Sequence, residues 1–298
     1  MGFFKKTWVL ANPGYGTWLQ KFRIKNEEIR QCTAEFFGTF ILVMYGDLTL
    51  AMSILGGQGV PDALAATWAW GVGIILGITV SGSVSGGHIN PAVTLAFASV
   101  KKLPLRKVFW YFLGQYLGGF IASVFVFLTY YDAFNNYDPD RTVVGLFRTA
   151  HIFATYPKDG ISIWNCFLGE VIAGFLVMFI IMAVVDKKNM HLPLYLEAIF
   201  IGLMVQTTLL AFGLNCMAPL NPARDLPPRI FTVIAGWGTL TFSIRNYGYF
   251  WIGIIGPHLG CILGAWAYYL AIEIHFPEKE LGKDCEEPAM SEAKLTSK

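Results

Sequence analysis

The sequence predicts an all-α membrane protein with six transmembrane helices plus two half-helices in an inverted repeat, and three observations predict it. Of the 298 residues, 55% are hydrophobic and only 14% are charged, and the mean hydropathy is +0.51. A soluble domain carries about a quarter charged residues, so a chain this poor in charge cannot cover a water-facing surface. Six runs are long and apolar enough to cross about 30 Å of hydrocarbon. Lastly, Asn-Pro-Ala occurs at 90–92 and again at 221–223, in matching places of the two halves.

In chain order, residues 1–31 read as an N-terminal segment holding Lys5, Lys6, Lys21, Arg23, Lys25 and Arg30. It has no apolar run followed by a small-residue cleavage site, so no signal peptide is apparent. The membrane domain covers 32–273, with apolar spans at 32–55, 61–82, 107–131, 163–185, 192–213 and 247–272. Two stretches, 90–100 and 221–232, are too short to cross, and each begins at Asn-Pro. The loop at 132–162 is polar and punctuated by Pro and Gly, and the tail 274–298 is charged, a composition that favours disorder. With six spans, the N-terminal cations, Lys101, Lys102, Arg106, Lys107, Lys187, Lys188 and the lysines of the tail share one side. The positive-inside rule makes that side, and both termini, cytoplasmic.

Several function classes drop out. A net charge of +2 with no basic stripe gives nucleic acid no purchase. Cys32, Cys166, Cys216, Cys261 and Cys285 are scattered without metal-ligand or disulfide spacing, and the five histidines form no H-E-x-x-H pattern. No nucleophile elbow occurs, so neither a metal, a cofactor nor an enzymatic centre is expected.

The halves repeat. Ala34-Glu35-Phe36-Phe37-Gly38 opens the first span and Gly169-Glu170-Val171-Ile172-Ala173 lies early in the fourth, each placing one carboxylate in an apolar helix. Three spans per copy (about 32–131 and 163–273) force the second copy to run upside down through the bilayer. Asn is a favoured N-cap and Pro a favoured first helical residue, so each Asn-Pro-Ala reads as the start of a short helix. The segments Ser81–Gly87 and Gly213–Met217 before them read as loops, tolerable at membrane depth only against protein or a wet cavity. Half-helices entering from opposite faces would point two positive dipole ends and two Asn amides at one place. A mere turn at each Asn-Pro is the plain alternative for either copy alone.

At these residues the chain resembles the aquaporin family over about 30–275. Ser85-Gly86-Gly87-His88-Ile89-Asn90-Pro91-Ala92-Val93 looks like its first signature and Ala218-Pro219-Leu220-Asn221-Pro222-Ala223-Arg224-Asp225 like its second. Asp225, with Arg229 beyond it, is similar to the aquaglyceroporin branch. The resemblance implies a passive channel for glycerol, other small uncharged solutes and water, excluding ions and protons. A water-selective pore is the alternative, and a secondary transporter a more distant one. It implies a midplane station at Asn90 and Asn221 and a filter of Trp70, Leu209, Ala218 and Arg224. Pore-lining carbonyls would come from Gly86, Gly87, His88, Cys216 and Met217. By the same resemblance a homotetramer in the plasma membrane is expected.

The filter departs from the branch in three places. Ala218 stands where an aromatic is frequent, and Leu209 and Met217 stand where glycines are frequent; Gly253 also replaces a common proline. Glu35 and Glu170, costly in a membrane helix unless paired, are expected to accept N–H groups of the two loops. Gln115 and His258 are further candidate supports. His88 is either a pore-lining pH sensor or a hydrogen-bonded structural residue. A surface ion pair between Arg224 and Asp225 is the bland reading of that dipeptide.

Overall fold

The computed structural model describes residues 18–57 and 62–277, and among them every regular element is helical. Lys5, Lys6, Cys285, the four tail lysines and most of the predicted 274–298 tail lie outside the described residues. Six long helices form: α1 (Glu27–Leu55), α2 (Ala63–Ser85), α4 (Leu105–Thr129), α5 (Ile163–Val185), α6 (Leu194–Cys216) and α8 (Ile252–Ala271). Between them lie the half-helices α3 (Pro91–Ser99) and α7 (Pro222–Thr232). Side-chain caps start several of them: Asn26 accepts from Ile29 N at 2.9 Å, Asp62 from Ala65 N at 2.8 Å and Ser162 from Asn165 N at 3.1 Å.

The packing repeats across the halves. Helix α4 lies along α1 as α8 lies along α5, and half-helix α3 docks on α8 as α7 docks on α4. Small residues permit the close approach. A Cβ on Gly118 would stand 2.5 Å from the Phe36 carbonyl oxygen, and Gly114 meets that of Cys32. In the second copy Gly260 and Gly264 meet the carbonyls of Val171 and Phe175. Each pair is spaced by four residues, the small-xxx-small device of close membrane helices.

Some expected boundaries move. Ser81–Gly87 and Gly213–Met217 are not loops throughout, for α2 runs to Ser85 and α6 to Cys216. In α2 the Ser81 and Ser85 hydroxyls each reach the carbonyl one turn back, Gly77 O at 2.8 Å and Ser81 O at 3.3 Å, so both sit in the helix with their donors satisfied. Left-handed residues then stop both helices, Gly86 at φ 91° and Met217 at φ 62°. The sixth span starts at Ile252 rather than 247, because Arg245, Asn246 and Tyr247 have φ of 54–62°, which no right-handed helix accommodates. The loop at 132–162 contains a helix at Tyr131–Tyr137, continuing from α4, and a helical turn at Ala150–Ile152, whose apolar residues join a buried core cluster with Trp70, Phe231 and Trp237.

Candidate functional site

The two half-helices meet end to end. Asn90 Oδ1 caps α3 by accepting from Ala92 N at 2.9 Å, and Asn221 Oδ1 caps α7 by accepting from Ala223 N at 2.9 Å. Their amide nitrogens reach across the pseudo-axis. Asn90 Nδ2 donates to Leu220 O at 3.0 Å and Asn221 Nδ2 to Ile89 O at 2.8 Å. Each amide nitrogen therefore has one N–H committed to the other copy and a second N–H to offer elsewhere. Isolated turns at the two Asn-Pro pairs would make no such exchange.

The carbonyls that take part belong to strained backbone. Ile89 has φ 43° and Leu220 φ 52°, with Met217 at 62° and Ala218 at 46° before the latter. Such residues persist only where the surroundings hold them. Glu35, fully buried, holds the first loop: Oε1 accepts from Ser85 Oγ at 2.5 Å and His88 N at 3.0 Å, and Oε2 from Ile89 N at 2.6 Å and Gln115 Nε2 at 2.8 Å. Glu170 holds the second more lightly, accepting from Leu220 N at 3.0 Å with the Cys216 thiol at 3.8 Å. Tyr249 adds a hydroxyl donated to Cys216 O at 3.3 Å.

A cavity of about 260 Å³ runs beside this junction. Trp70, Gly86, Gly87, His88, Asn90, Leu209, Asn221 and Arg224 all line it, with an aliphatic wall including Val177, Ile181 and Val205. A second cavity of about 640 Å³ is lined by Cys216, Met217, Arg148, His151, Lys158 and Arg245. The loop 216–221 thus passes from one cavity to the other. Ala218 differs from its expected place: its side chain is fully buried in the core cluster with Ala92 and Leu220, and it does not line either cavity.

Arg224 lines the first cavity beside Trp70. Its guanidinium carbon stands 4.3 Å from the Trp70 ring centroid, a cation–π contact, and Nη1 donates to Phe153 O at 3.3 Å. The bland pairing of Arg224 with Asp225 does not form. Asp225 instead receives Arg229, with Nη2 to Oδ2 at 2.9 Å, and accepts from Thr155 N and Oγ1, each at 2.7 Å. Gly253 fits this arrangement, since a Cβ there would press to 3.1 Å on Asp225 Oδ2.

Gln115 supports the loop as expected and also donates to Thr94 Oγ1 at 2.9 Å. His258 does not: its Nδ1 faces the Ile254 carbonyl of its own helix. His88 shares a hydrogen bond with Thr94 Oγ1 at 3.1 Å and stacks on Phe97, as a held structural ring does, while still facing the cavity. Sequence reasoning missed Tyr111, which donates to Ser85 O at 2.7 Å, and gave no role to the Phe153–Thr155 segment of the third loop, which seats Arg224 and Asp225. Neither carries a local motif; a loop residue far away in sequence reveals itself only when folded back.

The model of the major intrinsic protein family matches residues 23–268. The chain is 38% identical to Aquaporin-9 of Homo sapiens over 262 residues, 88% of each chain. It is 39% identical to Aquaporin-10 of Milnesium tardigradum over 270 residues, which span 86% of this chain and 66% of that protein. Among solved structures, the X-ray structure of the aquaglyceroporin from Plasmodium falciparum superposes with a TM-score of 0.73 at 28% identity, covering 81% of this chain and 95% of that one.

Proposed function

The chain belongs to the major intrinsic protein family, and from that premise we propose that it is a passive transmembrane channel for glycerol, other small uncharged solutes and water. The family is one of channels, and the six apolar helices make this an integral, multi-pass membrane protein. The observation that carries the reading is the pair of crossed amide hydrogen bonds, Asn90 to Leu220 O and Asn221 to Ile89 O, on a cavity lined by Arg224 and Trp70.

A polyol in single file loses its hydration, so one wall must replace those hydrogen bonds while the other accepts CH groups. Arg224 supplies donors to hydroxyl oxygens. Carbonyls of Gly86, Gly87 and His88, with those of Cys216 and Met217 nearer the second cavity, accept hydroxyl protons. Trp70, Leu209 and the aliphatic wall face carbon. Ala218, buried behind the wall, acts by the room it leaves rather than by contact.

The free N–H of each asparagine binds a passing oxygen at the midplane. Glu35 and Glu170 keep the loop carbonyls turned to the lumen. Two half-helix N-termini and the fixed guanidinium raise the potential along the path, so protons and cations are excluded. The second cavity is the outer vestibule, both termini are cytoplasmic, and the protein is a homotetramer in the plasma membrane with one pore per protomer. Repeat one covers about 32–131 and repeat two about 163–273. No catalytic role is assigned.

Proteoliposome swelling in glycerol, urea and sucrose gradients tests the reading. Rapid glycerol entry with sucrose excluded is expected, and water flux without glycerol flux would replace the reading with a water-only pore. Arg224→Ala should admit protons, seen as faster collapse of a pH gradient across the same vesicles. An unchanged proton leak would remove Arg224 from ion exclusion.

A further inference from the structure

Helix α1 carries a carboxylate that the channel reading leaves unused. Asp47 has 0% exposure, and among the described residues neither of its oxygens has a hydrogen-bond partner. A buried carboxylate is costly to keep unless an opposite charge or a hydrogen-bond donor compensates it, so its surroundings should name what it serves.

Those surroundings are the filter. The preceding residue, Gly46, abuts the Trp70 ring so closely that a Cβ there would collide with it. Trp70 in turn carries the Arg224 guanidinium at 4.3 Å. Asp47 lies within Coulombic reach of both Arg224, which attracts it, and Asp225, which repels it.

Four buried Arg and Asp side chains share this region: Arg224, Arg229, Asp47 and Asp225. Asp225 bonds Arg229 directly, Nε and Nη2 both meeting its carboxylate at 2.9–3.2 Å, and lies within Coulombic reach of Arg224 as well. The hydrogen bond that Arg224 makes is to a neutral carbonyl, and its ring partner is neutral too. Among the described residues, Asp47 is a second carboxylate within Coulombic reach of Arg224 and, unlike Asp225, has no hydrogen-bonded partner.

We propose that Asp47 is a positioning residue for charge selectivity: it balances the Arg224 guanidinium from behind and so weakens the barrier that the filter presents to cations relative to anions. The proposal rests on the channel reading above. It adds that ion exclusion here is set by two side chains on different helices. Because Asp47 lines neither cavity, it acts through the potential at Arg224 rather than by touching solute. A unit charge removed at this range from a low-dielectric filter should change the anion-to-cation permeability ratio about tenfold.

The test is made on the full chain in oocytes or planar bilayers, with Asp47→Asn, Asp47→Ala and Asp47→Glu. The readout is the reversal potential of the residual current in a potassium chloride gradient, with glycerol swelling recorded on the same preparations. Asp47→Asn and Asp47→Ala should both shift the permeability ratio about tenfold toward chloride, and Asp47→Glu should restore the wild-type ratio. A ratio that does not move, or currents at background in every variant, overturns the proposal. Failure of Asn and Ala variants alike to assemble also overturns it, by assigning Asp47 to folding. A wild-type chain that passes no glycerol refutes the channel reading instead, a result visible without any variant.

Discussion

Replacing Glu35 by glutamine should loosen the first pore loop by an amount that the hydrogen bonds dictate. The carboxylate accepts four donors, two on each oxygen. Glutamine keeps one acceptor oxygen and turns an NH2 toward the other two donors. If its oxygen takes the Oε1 place, Ser85 and His88 stay bonded and Gln115 can flip, its own Oε1 being unpartnered. Ile89 N–H is then orphaned. In the reverse orientation the Ser85 hydroxyl can rotate to accept, and His88 N–H is orphaned.

Either way one buried backbone donor loses its partner, a cost of about 1–3 kcal/mol. Glu35→Ala orphans both N–H groups, about 2–6 kcal/mol. Glu170→Gln can aim its oxygen at Leu220 N and should cost under about 1 kcal/mol. The expected order of thermal stability in detergent is wild type, E170Q, E35Q, E35A, and glycerol uptake per molecule at the surface should fall in the same order. Released from Glu35, Gly86 (φ 91°), Gly87 (φ 66°) and Ile89 (φ 43°) can leave the left-handed region and turn their carbonyls off the cavity. E170Q as damaging as E35Q, or E35A indistinguishable from wild type in both assays, would refute the reasoning.

Two further outcomes follow from buried charge. Asp225→Asn leaves the fully buried Arg229 guanidinium without its counter-ion, and breaking such a pair costs about 3–5 kcal/mol. Low yield and early unfolding are expected, with partial recovery in Asp225→Asn/Arg229→Gln; a stable single variant would contradict this. His151, in the Ala150–Ile152 turn, is held down to about 4 by burial, with the like charge of Arg148 adding to it. The unfolded chain takes up this proton first, so stability declines as pH falls from about 6.5 toward about 4 and is unaffected above. Thermal unfolding at pH 7.5 and 5 should show a smaller acid loss in His151→Gln than in wild type, and equal losses would exclude His151 as its source.

The helices were legible because lipid imposes local rules. A segment that must satisfy its own backbone in hydrocarbon shows as an apolar run, and all six spans lie within three residues of expectation at their C-terminal ends and four at their N-terminal starts. Asn90 and Asn221 were legible because capping is local chemistry, read from the residue and the proline after it. The wall of the path was less so. Leu209 reaches the cavity and Ala218 does not, although both were expected in the filter, because a left-handed residue at 218 turns the loop in a way that composition does not encode.

Taken alone, the chain determined its solvent, its six crossings and the twofold recurrence of a capped half-helix, all consequences of neighbours within a turn or two. Only the tertiary structure decided which carboxylate answers which cation. The partnering of Asp225 with Arg229, the seat of Arg224 on Trp70 and Phe153, and the burial of Asp47 beside them join residues up to 177 positions apart (47 to 224). Charge acts through space and is hardly screened where water is absent, so its balance is a property of the folded interior.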